Sequence, residues 1–147
     1  MRSAAENCLI AIRAGGRGDV THSHVLWKYR KALPNTSSPL LYQRVIYLVR
    51  DGIFTSLNPE SGEIYKQARL AGALGRYWSS PIAADGKIFM VSEEGKVVVL
   101  RAAPAWEILA INNLDEDTFA TPAILDGRIY VRTREALYCF AQIRSAP

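Results

Sequence analysis

The sequence predicts an all-β fold made of four-stranded antiparallel blades, arranged as a partial, open β-propeller. The first observation is a repeat of 42 and then 41 residues, marked by Ser38-Pro39, Ser80-Pro81 and Thr121-Pro122. The second is that an apolar strand follows each proline at the same distance. A repeat of about 40 to 45 residues with four short strands per unit is typical of propeller blades, whereas helical repeats would show apolar residues at three-and-four spacing. A β-sandwich with a chance repeat is the structural alternative.

Recurrent turns separate the strands of each repeat. Asp85-Gly86 and Asp126-Gly127 lie at one repeat position and predict tight hairpins. The first repeat has Gln43-Arg44 there. We therefore expect a turn type at that place that is less demanding of the backbone conformation than an Asp-Gly hairpin. A second turn follows at Asp51-Gly52 and Glu94-Gly95, and in the third repeat it is degraded to Arg134-Glu135.

The same register divides the chain into four units within a single partial propeller, 1–147. Residues 1–31 supply the last two strands of a blade, 38–70 and 80–111 are complete blades, and 121–141 supply three strands. The chain is therefore expected to begin inside a blade. Closed propellers have four to eight blades, so the ring is expected to be open and part of a larger propeller.

The residues also resemble the pyrroloquinoline-quinone-like repeat family. Leu57-Asn58-Pro59-Glu60-Ser61-Gly62-Glu63 is similar to the turn that precedes the outer strand of that family's blades, and Trp27 lies where the family has an outer-strand tryptophan. Lys66 takes the equivalent place in the next unit, and Trp106 lies in a different register. The resemblance implies a quinoprotein-like propeller fold. It does not imply one function, because quinoprotein dehydrogenases and a barrel-assembly lipoprotein of bacterial outer membranes share this fold.

Composition and charge narrow the classes of partner. The 147 residues are 49% apolar and 22% charged, which is typical of folded material. The net charge of +4 comes from basic residues scattered over the first 50 positions, with no nucleic-acid-reading module, so no nucleic-acid partner is expected. No stretch is long enough for a membrane span. Residues 1–12 lack the apolar centre of a signal peptide, although family members are often exported, and the compartment stays open.

No residues are assigned to catalysis, to a cofactor or to a metal. His22 and His24 would share one face of a strand, but two histidines fall short of the three or four ligands that a metal site needs. The carboxylates of Asp115-Glu116-Asp117 lack the spacing of a calcium loop, and the glycines of 15–18 precede no helix that could bind phosphate. All three segments are interpreted as exposed turns.

Four residues are candidate partner contacts: Arg76, Tyr77, Trp78 and Phe119 lie just before the second and third Ser-Pro or Thr-Pro entries. Aromatic residues at such a place can contact a peptide or a small ligand. With no nucleophile, base and orienting group in sight, the sequence predicts a non-catalytic module that binds a protein or peptide. The alternative is a fragment of a quinoprotein-like dehydrogenase that needs further blades to bind its cofactor. Open blade edges also predict self-association.

Overall fold

The computed structural model describes residues 7–141, and the outermost residues of the predicted units 1–31 and 1–147 lie outside this range. The described chain is all-β and forms four antiparallel sheets of two, four, four and three strands, which do not close into a ring. The predicted fold class is therefore confirmed. None of the described residues forms a helix that could span a membrane.

The strands pair in chain order within each sheet, as expected for blades joined by short turns. The first sheet contains β1 (Leu9–Ile12) and β2 (Val25–Tyr29), and the second contains β3 (Leu40–Tyr42), β4 (Val45–Arg50), β5 (Ile53–Leu57) and β6 (Ile64–Arg69). The third contains β7 (Ile82–Ala84), β8 (Lys87–Val91), β9 (Lys96–Arg101) and β10 (Ile108–Asn113), and the fourth contains β11 (Ala123–Leu125), β12 (Arg128–Arg132) and β13 (Leu137–Ala141).

The first hairpin turn of each complete repeat has two residues with positive φ. Asp85 and Gly86 have φ values of 48° and 69°, as a type I′ turn requires. Gln43 and Arg44 have φ values of 48° and 59°, so the expectation of a less demanding turn there was wrong. The register Tyr42↔Val45 leaves only two residues for the turn, and the twist of the flanking strands then imposes the same geometry on residues without glycine's freedom.

The core lies between the sheets, and the middle strands contribute to it from both faces. Tyr47 and Val49 of β4 pack in one cluster with Met90 and Val98 of the third sheet. Leu48, on the opposite face of β4, packs with Tyr29 of the first sheet. Side chains alternate across a strand, so a sheet covered on both faces needs an apolar residue at nearly every position.

The Ser-Pro and Thr-Pro entries link one sheet to the next. The backbone N–H of Ser38 donates to Oγ of Ser80 at 2.9 Å, and the N–H of Ser80 donates to Oγ1 of Thr121 at 3.0 Å. Within the third sheet, Oγ of Ser79 also donates to the carbonyl of Val91. A hydroxyl residue before each proline therefore aligns the starts of successive inner strands.

Because successive strands are antiparallel, their turns alternate between two ends of the sheets. We call the end that carries the connections 30–39, 70–81 and 114–122 the connection face. The β4–β5, β8–β9 and β12–β13 turns lie at the same end, and the hairpin turns at 43–44, 85–86 and 126–127 lie at the opposite end.

Candidate binding site at the connection face

A cavity of about 620 Å³ opens at the connection face, beside the β4–β5 turn. Its volume lies within the usual range of ligand pockets, about 300 to 1,000 Å³. Three segments line it: the β2–β3 connection, the β4–β5 turn and the β6–β7 connection. The lining residues are Asn35, Arg50, Asp51, Gly75, Arg76, Tyr77 and Trp78.

The cavity forms where a backbone contact of the neighbouring repeat is missing. Between the third and fourth sheets, the N–H of Thr118 donates to the carbonyl of Glu93 at 2.9 Å. The equivalent residues one repeat earlier are Tyr77 and Asp51, and within residues 7–141 no backbone hydrogen bond joins them. The space between these two residues is therefore not closed.

A difference in turn length explains the missing contact. The β4–β5 turn has only the two residues Asp51 and Gly52, whereas the β8–β9 turn has the four residues 92–95. The longer turn lets Glu93 bond to connections on both sides, because its N–H also donates to the carbonyl of Arg76 at 2.8 Å. A two-residue turn is too short to do the same.

The short turn is nevertheless held against the β6–β7 connection. Gly52 has a φ of 74°, and a Cβ atom there would lie 2.9 Å from Cα of Leu74. The backbone N–H of Leu70 also donates to the carbonyl of Gly52 at 2.8 Å. Only glycine fits this close approach without displacing backbone, so Gly52 allows the turn to pack against the β6–β7 connection beside the cavity.

Tyr77, predicted from sequence as a partner contact, is buried with 5% of its surface exposed. Its hydroxyl donates to the carbonyl of Ala73 at 2.6 Å, and burial raises the pKa of this hydroxyl well above its ordinary value, with a smaller contribution from the carboxylate of Glu94. Tyr77 therefore lines the cavity as a buried residue, and its role as a partner contact stays a prediction.

Trp78 and Phe119 are exposed, as expected of contact residues. Trp78 is 36% exposed and Phe119 is 51% exposed, and each lies three residues before the proline of its repeat. Trp78 lines the cavity, whereas Phe119 lies on the next connection and is not part of the lining. The repeat thus displays two aromatic side chains in succession at one face.

Some of the charged side chains around the cavity have ion-pair partners, and one arginine has none among the described residues. Nε of Arg50 lies 3.5 Å from Oδ2 of Asp51, and Glu94, whose carboxylate lies close to Gly75, has Nζ of Lys96 at 3.2 Å. Among the described residues no salt bridge or hydrogen bond engages the guanidinium of Arg76, which is exposed in the lining. The cavity therefore presents one uncompensated positive charge.

Sequence reasoning located Arg76 and Trp78 but missed Asn35, Arg50 and Asp51. The signal for Asp51 was present, because Asp51-Gly52 is recognisable as a turn. That this turn is two residues shorter than its counterpart, and that a cavity results, depends on how the sheets stack. Asn35 comes from a connection with no recognisable motif.

The segments interpreted as turns do not form a metal site. Among residues 7–141 no three His, Cys, Asp or Glu side chains are placed to hold a metal ion. His24 is hydrogen-bonded to its neighbour Ser23 within the β1–β2 loop. The described part of the chain therefore offers no ligand set of this kind for the calcium ion that accompanies the quinone cofactor.

Glu116 is not a freely solvated residue of a turn. Its carboxylate accepts hydrogen bonds from the hydroxyls of Thr133 and Tyr138. These bonds hold the pKa of Glu116 below its ordinary value, with the larger contribution from Thr133. These hydrogen bonds hold the β10–β11 connection against the β12–β13 hairpin. Glu116 therefore stabilises the fourth sheet.

Comparison with known proteins gives a match at the level of structure. No protein-family model and no curated protein matches the sequence. The chain is similar to BamB from Moraxella catarrhalis, with a TM-score of 0.71 and 18% identity over 92% of this chain and 40% of that protein. The chain has a pyrroloquinoline-quinone-like propeller fold.

A second solved structure supports the same fold. A europium-containing methanol dehydrogenase matches 69% of this chain and 20% of its own length, with a TM-score of 0.51 and 20% identity. The propeller fold implied by the sequence resemblance is thereby confirmed. The chain spans less than half of either protein, and identities below a quarter establish the fold alone.

Proposed function

We propose that this chain is a non-catalytic binding module for a protein or peptide partner, within a larger propeller. The observation that carries the proposal is the connection face, where the cavity and the two exposed aromatic side chains of Trp78 and Phe119 occur together. Aromatic residues are enriched among those that contribute most to binding at protein interfaces. The likeness to BamB, at the level of fold, is consistent with a scaffold.

The backbone on both sides of Trp78 is fixed, which favours binding. Tyr77 is buried, and Ser79 is buried with its hydroxyl bonded to Val91. An exposed side chain held between two such anchors loses little conformational entropy when a partner covers it. The connection face is thus prepared for contact without rearrangement of the sheets.

Capture of partners by paired variants tests this proposal. The chain is used as bait in a lysate of its source, beside a Trp78→Ala, Phe119→Ala double variant and a Tyr65→Ala control. Tyr65 is 46% exposed on β6, so the control removes a comparable aromatic surface outside the connection face. We expect the double variant to lose specific partners that the control retains. Equal recovery by all three proteins, or no recovery above background, would contradict the proposal.

We also propose that the open ends of the sheets associate with further blades or with a second copy. Cys139 in β13 is exposed, whereas Val98, at the same distance after the proline of its repeat, is fully buried. Leu137 and Phe140 in the same strand are 69% and 43% exposed. Exposed strands and apolar faces of this kind promote association, so light scattering at micromolar concentration should show oligomers. A stable monomer would contradict this proposal.

The alternative function is a part of a quinoprotein-like dehydrogenase, which the likeness to a methanol dehydrogenase favours at the level of fold. The described carboxylates and histidines do not provide the metal ligands such an enzyme would use. A direct test is dye reduction by the chain with pyrroloquinoline quinone, calcium and simple alcohols. We expect no rate above the blank, and reproducible turnover would replace the binding-module proposal with this alternative.

A further inference from the structure

We infer that the cavity at the connection face recognises a carboxylate on an acidic peptide segment of the partner, with Arg76 as its anchor. This inference rests on the proposed binding function and adds the chemistry of the partner. It depends on three properties of the cavity: a guanidinium with no carboxylate partner in the described part of the chain, the fixed backbone that carries it and the nearby exposed indole.

Arg76 is the cation that is available to a ligand. Arg50, the other arginine of the lining, has Asp51 at 3.5 Å. Within the described chain no carboxylate is paired with Arg76, and the nearby Glu94 has Lys96 as its partner. A guanidinium binds carboxylates through two parallel hydrogen bonds, so a ligand carboxylate would complete the pairing that the chain itself leaves open.

The position of Arg76 is set before any ligand arrives. The N–H of Glu93 donates to its carbonyl at 2.8 Å, and the next residue, Tyr77, is buried and bonded to Ala73. The backbone that carries Arg76, a lining residue of the cavity, is therefore fixed. Because this backbone loses no freedom on binding, a cation attached to it contributes more affinity than one on a mobile loop.

Trp78 adds a second requirement for the ligand. Its indole lines the same cavity and is partly exposed, so it offers an apolar surface two residues from the cation. A ligand that satisfies both groups carries a carboxylate close to an apolar side chain. An extended peptide with an acidic and an apolar residue two positions apart has this arrangement, because side chains at positions i and i+2 point to the same side.

The test uses two amidated, fluorescein-labelled peptides, Gly-Glu-Ser-Leu-Ser-Gly and Gly-Gln-Ser-Leu-Ser-Gly, and fluorescence anisotropy at low salt. A hydrogen bond to a charged group is stronger than one between neutral groups, so we expect the glutamate peptide to bind about tenfold more tightly than the glutamine peptide. Arg76→Gln should remove this difference. Arg128→Gln, which removes an exposed arginine at the opposite end of the sheets, should preserve it.

Several results would overturn the inference: equal affinity for both peptides, no binding of either, an equal loss in the Arg128→Gln variant, or displacement by free succinate at the concentration at which the peptide binds. If the two peptides bind equally well and both bind more weakly to a Trp78→Ala variant, recognition of a carboxylate is refuted. The proposal that the cavity binds a peptide then still stands. Selective binding that depends on Arg76, together with failed capture of any partner, would support the carboxylate site and count against the proposed partner function.

Discussion

The second and fourth sheets are the same repeat in two environments. Tyr47 of β4 is fully buried, whereas Tyr130, at the same distance after the proline in β12, is only half-buried. The second sheet packs against a neighbour on each face, whereas within residues 7–141 the fourth packs against the third alone. Burial in this fold is therefore a property of the stack of sheets rather than of the single repeat.

The largest effect should come from the core between the second and third sheets. Phe54 is fully buried, stacks on Tyr47 with ring centroids 5.8 Å apart and meets Trp106 edge-on at 5.1 Å. Phe54→Ala should lower the free energy of unfolding by about 3 to 5 kcal/mol. Phe140→Ala in the partly exposed fourth sheet should cost less than about 1 kcal/mol. Urea unfolding followed by circular dichroism measures both, and equal losses would show that the two sheets are packed alike.

A smaller effect should separate two glycines of equivalent backbone conformation. Gly52 and Gly127 have φ values of 74° and 70°, but a Cβ atom at Gly127 would have nothing within 4 Å, whereas one at Gly52 would meet the backbone of Leu74. Gly127→Ala should cost about 1 kcal/mol from the left-handed conformation alone. Gly52→Ala should cost about 2 to 3 kcal/mol because the connection must also shift. Similar values for the two variants in the same unfolding assay would contradict the close packing at the cavity wall.

The hydroxyls that precede the entry prolines should give a still smaller difference. Ser79 is buried, donates to the carbonyl of Val91 at 2.6 Å and accepts from its N–H at 3.3 Å. The fourth sheet has Ala120 at this position. Ser79→Ala should cost about 1 to 2 kcal/mol, because a buried carbonyl loses its partner, whereas Ala120→Ser should change stability by less than about 0.5 kcal/mol. A large gain from Ala120→Ser would mean that the fourth sheet is built more like the third than its burial indicates.

The smallest effect concerns pH and is confined to the fourth sheet. The pKa of Glu116 is held below its ordinary value by the hydroxyls of Thr133 and Tyr138. The stabilisation is therefore present above the pKa of the unfolded chain, near 4.5, and is lost as pH falls through the lower folded value. Hydrogen exchange at the amides of Ala136 and Thr133 should accelerate relative to the second sheet below about pH 4. A Glu116→Gln variant should lack this pH dependence, and an unchanged profile would contradict it.

Much of the fold was predictable because its signals are local. The prolines, the Asp-Gly turns and the apolar strands each impose a preference over a few residues, and their repetition at 42 and 41 residues identifies the blade. The wrong prediction at Gln43-Arg44 has the same origin, since the sequence suggests a relaxed turn while strand twist imposes positive φ. For the site, Trp78 and Phe119 were found through their repeat position, whereas Arg50 and Asn35 carry no local signal.

The sequence by itself determined the strand pattern, the blade type and the position of aromatic residues before the entry prolines. Only the tertiary structure decided that Tyr77 is buried in the cavity lining, that the β4–β5 turn leaves a cavity and that Arg76 has no partner for its guanidinium among residues 7–141. The physical reason is distance along the chain. Strands and turns depend on neighbours a few residues apart, whereas the cavity depends on three segments, around residues 35, 51 and 77, that meet only when the sheets stack.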